Sequence, residues 1–348
     1  MEFLAEYGLF LAKIATFVVA LVILVSVVVS AAHRVRPDDD SGELHVTRYN
    51  DQLKQTREDL ECAMLHQGAR KQWLKELRRK HRSQSRKARS RGADSARPRL
   101  FVLDFHGDIK ASDTASLRRC ISAVLSVANP DQDRVAVRLE SGGGMVHSYG
   151  LASAQLDRIR QKGVPLTVCV DKVAASGGYM MACVADRIIA SPFAILGSIG
   201  VVAQIPNLHR FLKKRDVDFE VLTAGEHKRT LTVFGENTEK GRRKFREDLD
   251  DTHALFKHYV SEHRPVVDID RVANGDIWFG QRALEVNLVD ELKTSDQYLV
   301  EACDSQDVLI VRYDKRKTLP EKLGLAASAV TESVLVKLSG LVRDSRFQ

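Results

Sequence analysis

The stretch Val170-Asp171-Lys172-Val173-Ala174-Ala175-Ser176-Gly177-Gly178-Tyr179 opens on the end of an apolar run and closes at the start of a helical one, MMACVA. Between them stand only small residues and a serine. A buried strand that turns sharply into a helix needs small neighbours at the corner, and a serine at that corner stands exposed at a helix N-terminus, as in a nucleophile elbow. Ala174 occupies the place of the usual first glycine of Gly-x-Ser-x-Gly. Taken alone, a serine before Gly-Gly is more often a helix cap than a catalyst.

The same alternation extends outward on both sides. Apolar β-type runs at Leu100 to Phe105, Val135 to Glu140, Leu166 to Asp171, Arg187 to Ala190 and Phe219 to Thr223 are separated by helical patterns over 113–128, 145–162 and 176–185. Strands alternating with helices predict an α/β layered fold with helices packed on a mainly parallel sheet. A second glycine corner, Ser141-Gly142-Gly143-Gly144, follows the run VAVRLE and precedes a helix beginning near Met145. Its amides suit an anion. It is no dinucleotide fingerprint, because the last glycine of Gly-x-Gly-x-x-Gly is replaced by His147.

A catalytic serine needs a base. Among eleven histidines none lies in a triad-like sequence context, and His147 is the best of them. A lysine desolvated in an apolar pocket is the alternative, accepting the hydroxyl proton once its pKa has fallen toward about 7 or 8. Lys228 follows the apolar run 219–223 and is the lysine so placed.

Four segments share an order and spacing with one family: Ser141-Gly142-Gly143-Gly144, Ser176-Gly177-Gly178-Tyr179, Gly197-Ser198-Ile199-Gly200-Val201 and Gly225-Glu226-His227-Lys228-Arg229. Together they resemble the bacterial signal peptide peptidase A (protease IV) family, from the N-terminus to roughly residue 300. The resemblance implies a ClpP/crotonase-like fold and a Ser-Lys dyad hydrolysing peptides or unstructured protein segments through an acyl-enzyme. It makes Ser176 the nucleophile and Lys228 the general base, gives the oxyanion hole to the amides of Gly177 and Gly143, and makes the Ser198 hydroxyl a group that orients the lysine. It also implies a homo-oligomer at the bacterial inner membrane. Gly142 stands where the family usually has proline, which loosens the turn before Gly143. Two other readings use the same features: a crotonase-like acyl-CoA enzyme, which has no use for a paired serine and lysine, and a catalytically idle membrane scaffold.

The ends of the chain are of other kinds. Ile14 to Ala32 is nineteen residues without a charge, long enough to cross a bilayer core of about 30 Å. With Lys13 extending toward headgroups the span covers about 9–32, and residues 1–38 are expected to form an uncleaved single-pass anchor. Glu2 and Glu6 do not suit a signal peptide, which opens on basic residues. Residues 39–98 read as a charged stalk, residues 99–300 as the peptidase domain, and residues 301–348 as a C-terminal strand and helix, the helix over 322–342. Between Arg70 and Arg99 thirteen Lys or Arg face two acids, so the net charge of +7 belongs to this segment. Such a run suits anionic lipid and, with Trp73 its one aromatic, suits no specific nucleic acid. Basic residues flanking the span favour a cytoplasmic body. A second uncharged stretch, 188–208, is broken by Pro192, Gly197, Gly200 and Pro206 and reads as buried strands and turns rather than a second span. Five cysteines without a Cys-x-x-Cys pair read as reduced thiols, and neither a metal-ligand motif nor a cofactor fingerprint is present.

Overall fold

The computed structural model describes residues 42–90, 97–225 and 227–315, together with Lys13, Thr16 and Phe17. One compact unit spans Leu44–Tyr313, and a second consists of the two chain ends, 1–43 and 314–348, nearly all outside the described residues. The expected anchor over 14–32 and the expected helix over 322–342 both fall there. Among the described residues no helix is long and apolar enough to cross a membrane.

The body is a mixed α/β fold on a mostly parallel sheet. Strands β1 (Gly42–Arg48), β2 (Arg99–Gly107), β3 (Arg134–Ser141), β4 (Leu166–Val170), β6 (Arg187–Ala190), β9 (Glu291–Leu292) and β10 (Asp307–Lys315) run in the order β1-β10-β2-β3-β4-β6-β9. Every pairing from β10 to β9 along that path is parallel. Three short strands leave this path: β5 (Val173–Ala175) pairs with β3 and with β7 (Ile195–Gly197), and β7 pairs antiparallel with β8 (Ile277–Phe279).

Alternation along β2 shows how the layers form. Phe101, Leu103 and Phe105 share a core with Leu117, Ile121 and Val124 of the helix Thr114–Val127 and with Leu156 and Ile159 of the helix Val146–Gln161. Leu100 and Val102 point the other way, toward Leu299 of the helix Ser295–Ser305. This is the period-two pattern of a strand buried on both faces. Further along the second face Asp104 accepts from Arg138 Nε at 2.6 Å and Arg312 Nε at 2.8 Å. Burial alone would raise the Asp104 pKa, but these two guanidinium groups outweigh it and hold it below the ordinary carboxylate value.

Three expectations are corrected. Residues 219–223 form no strand, and Leu222 is 91% exposed. Phe219, Val221 and Leu222 resemble a short strand in sequence, but Glu220 and Thr223 interrupt them and the stretch pairs with no strand among the described residues. Residues 42–64 are not a detached stalk: β1 is in the sheet, and Asn50 opens the helix Tyr49–Met64 by accepting from Val308 N at 2.8 Å and donating to Gln306 O at 3.0 Å. A charged composition hid an edge strand whose only apolar residues are Leu44 and Val46. In the helix Glu239–His263, capped by Thr238, Phe256 and Val260 are buried while Leu255 is 70% exposed. At 100° per residue Leu255 cannot share the face of Phe256 and Val260. The stretch 188–208 divides: Ile188 to Ile199 supplies β6, β7 and core, and residues from Val201 to Leu208 leave the sheet with Val202 81% exposed.

Candidate active site

Strand β5 ends at Ala175 and the helix Gly177–Ala182 begins two residues later, so the chain must reverse at Ser176. It does so with φ 51° and ψ −117°, a backbone region that L-residues seldom occupy and that costs of order 1–3 kcal/mol. Two hydrogen bonds hold it there: Ser176 N donates to Gly197 O at 2.8 Å, and Met180 N donates to Ser176 O at 3.0 Å. The glycines after it are required by close approach. A Cβ on Gly177 would enter the Tyr149 ring, and one on Gly178 would strike the Ser141 carbonyl. The corner thus places a half-buried serine hydroxyl at the C-terminal end of a parallel strand, above the first turn of a helix whose leading N–H groups have no intrahelical acceptor.

The second glycine corner lies against the first. Ser141 ends β3 in register with Ala174 of β5. Gly143, at φ 87°, passes so close that a Cβ there would sit 2.7 Å from Gly177 N and 2.8 Å from Ser176 Cβ. The loop is pinned by a chain of bonds with one consistent direction. Gly143 N donates to Ser141 Oγ at 3.1 Å, Ser141 Oγ donates to Tyr149 Oη at 2.5 Å, and Tyr149 Oη donates to the Asp108 carbonyl at 2.7 Å. Because the Tyr149 hydroxyl is spent on Asp108, it accepts from Ser141, which in turn accepts from Gly143. Burial raises the Tyr149 pKa and keeps it a neutral donor. Sequence reasoning missed Ser141 and Tyr149. A tyrosine on the first turn of the helix that follows a glycine loop was the available signal.

Ser198 stands beside this pair. Ala175 is in register with Gly197, so Ser176 and Ser198 follow the two paired residues. Both have positive φ, 51° and 49°, and Ser198 N donates to Asp276 O at 2.7 Å. Gly197, at φ 81°, leaves no room for a side chain against Trp278. The structure therefore brings together Ser176, Gly177, Gly143 and Ser198 from three separate segments.

Lys228 is not joined to them. It lies exposed in the irregular segment between the helices His209–Lys213 and Glu239–His263, with its amide donating to Gly225 O at 3.1 Å. Among the described residues no hydrogen bond links its ammonium to Ser176. His147 is exposed on the first turn of Val146–Gln161 and is likewise unconnected to Ser176. No group of three or more His, Cys, Asp or Glu among the described residues is arranged to hold a metal.

The sequence matches two family descriptions in succession, Peptidase family S49 N-terminal over residues 2–156 and Peptidase family S49 over residues 158–309. The chain belongs to peptidase family S49. It is similar to "Probable protease SohB" of Haemophilus influenzae, with 46% identity over 345 residues and 97% of each chain covered. A second protein of that name, from Buchnera aphidicola subsp. Acyrthosiphon pisum, is 53% identical over 240 residues, covering 69% of this chain and 71% of its own. A solved membrane-bound stomatin-specific protease aligns at 14% identity over 60% of this chain and 85% of its own, with a TM-score of 0.37, which adds nothing to the fold read from the sheet itself. This S49 peptidase is a protease, and its substrates are peptides or proteins.

Proposed function

We propose that the chain is a membrane-anchored serine endopeptidase of ClpP/crotonase-like fold in which Ser176 attacks the peptide carbonyl and Lys228 removes the hydroxyl proton. The observation that carries the reading is the backbone of Ser176: an L-residue held at φ 51° between two glycine-dependent contacts is strain placed at one hydroxyl. The attack forms the bond from Oγ to the carbonyl carbon, and the carbonyl electron pair moves to the oxygen. Collapse of that intermediate expels the amine, which takes up the proton held by the lysine, and water then releases the acyl group.

The negative oxygen needs preorganised N–H donors. Gly177 supplies one. The glycine loop supplies the other: Gly143 at the expense of its bond to Ser141, or Gly144, whose amide has no partner among the described residues. On this reading Ser198, one residue past the strand paired with β5, receives and orients the lysine ammonium.

The anchor is residues 9–32 and keeps the body at the bacterial inner membrane, on the cytoplasmic side by its flanking charges. The body works as a homo-oligomer. Val202, Phe211, Phe219 and Leu222, all more than 45% exposed, lie in the segment that carries Lys228, and a second copy of the chain would cover them.

The decisive experiment is mass spectrometry of the full chain after a fluorophosphonate probe, together with peptide hydrolysis by single variants. The adduct is expected on Ser176. Ser176→Ala and Lys228→Arg should each lose several orders of magnitude in kcat, with the double variant scarcely worse, because arginine keeps the charge but cannot give up its proton. His147→Ala should keep most activity. A Lys228→Arg protein that still hydrolyses peptide while His147→Ala does not would replace the dyad by a Ser-His pair.

A further inference from the structure

The basic segment is ordered into one helix, Gln67–Ser90, which folds back on Tyr49–Met64 as a hairpin. Its inner seam is formed by Trp73, Leu77 and His81, each half-buried, with His81 Nε2 2.9 Å from Glu58 and Arg70 Nε donating to Cys62 Sγ at 3.2 Å. At 100° per residue Lys71, Lys75, Arg78 and Arg82 fall at i, i+4, i+7 and i+11, a single stripe turned away from that seam, with Arg79 at its edge. All five are exposed, none forms an ion pair among the described residues, and the only acid on this stretch of helix is Glu76. The stripe is roughly 16 Å long.

We infer that this stripe is a docking surface for anionic lipid headgroups. Charge complementarity gives the chemistry, and the chain gives the address. The proposed anchor ends at Ala32, and the nine residues 33–41 that separate it from β1 span about 30 Å at most. On the proposed anchor, the hairpin that follows β1 is tethered to a bilayer, where headgroups are the most abundant polyanion. A surface of this kind sets how the body meets the bilayer, with each cation near an anionic surface favouring that contact by about fivefold. The inference rests on the proposed anchor for delivery to the membrane, and not on the dyad.

The test reconstitutes the full chain in phosphatidylcholine vesicles with and without phosphatidylglycerol. Lysines are labelled with an amine-reactive ester and read by mass spectrometry, with Lys162 as reference. Phosphatidylglycerol should lower labelling of Lys71 and Lys75 by about fivefold or more, and raised salt should restore it. Lys80 lies on the opposite side of the helix from the stripe and should be protected much less. Lys75→Glu/Arg78→Glu should remove the lipid dependence while short-peptide hydrolysis is unchanged. Equal labelling in the two vesicle types overturns the inference, as does equal protection of all three lysines in both. Protection by duplex DNA but not by phosphatidylglycerol also overturns it. If the anchor is wrong the protein will not float with neutral vesicles; salt-sensitive flotation with anionic ones then still supports the stripe, and flotation with neither refutes it.

Discussion

Replacing Tyr149 by phenylalanine removes one oxygen from the chain that runs from Gly143 to Asp108 and leaves the buried ring in place. Two bonds vanish, those at 2.5 Å to Ser141 and 2.7 Å to the Asp108 carbonyl. Their costs differ, because Asp108 is exposed and water can replace the tyrosine there, for a net loss of about 1 kcal/mol. Ser141 is 2% exposed, so its hydroxyl proton loses its acceptor with no water to take it, which adds roughly 1–3 kcal/mol. The sum is about 2–4 kcal/mol, and for a body of this size each kcal/mol lowers Tm by about 2–4 °C. Function should suffer beyond stability. A Ser141 hydroxyl freed to rotate no longer fixes the Gly143 amide, and the loop beside Ser176 loosens. Thermal unfolding and peptide kinetics on the same preparation separate the two effects, with kcat falling at temperatures where the variant is fully folded. A Tyr149→Phe protein with parental Tm and kcat would refute the claim that this chain positions the glycine loop.

Two further outcomes follow from the fold. Asp104 carries a pKa depressed by Arg138 and Arg312, so its stabilisation is complete above the unfolded carboxylate value of about 3.9 and is lost as pH falls through the lower folded value; Asp104→Asn should flatten the acid limb of a Tm-against-pH curve, and an unchanged limb would discount this cluster. Asn50→Ala leaves the Val308 amide without its 2.8 Å acceptor and should cost about 1–3 kcal/mol in denaturant unfolding, whereas a true stalk would tolerate the change without effect.

What the sequence made legible follows from burial. Runs such as Leu100 to Leu103 and Val168 to Val170 lie in central parallel strands, and continuous apolar residues have few other uses. The serine corner was readable because Ala174, Ala175, Gly177 and Gly178 leave no alternative to a close turn. The bonds among Ser141, Tyr149 and Asp108 were not readable, since they join three segments whose meeting depends on the finished sheet. Strand β1 escaped notice because an edge strand needs little hydrophobicity, and the single facing pair Leu44 and Val46 is drowned by charge. Residues 219–223 misled for the opposite reason: Phe219, Val221 and Leu222 suggest a buried element, yet all three are exposed.

That last mismatch bears on catalysis. Ser176 is fixed by strands, glycines and a helix, whereas Lys228 sits in a segment whose apolar side chains are uncovered. Pieces with few buried contacts open at little cost, so the proposed Ser176–Lys228 dyad calls for a cover over this piece. Leu222 is 91% exposed, and burying a side chain of that size is worth about 1.5–3 kcal/mol. Leu222→Lys should therefore leave the Tm of the isolated protomer unchanged, since nothing there packs on it. It should shift the mass measured by light scattering toward one copy, and it should lower peptide hydrolysis per protomer in step with that shift. Full hydrolysis by a Leu222→Lys protein that remains a single copy would show that Lys228 reaches Ser176 without a neighbour, and the covering segment would have to be sought within the chain.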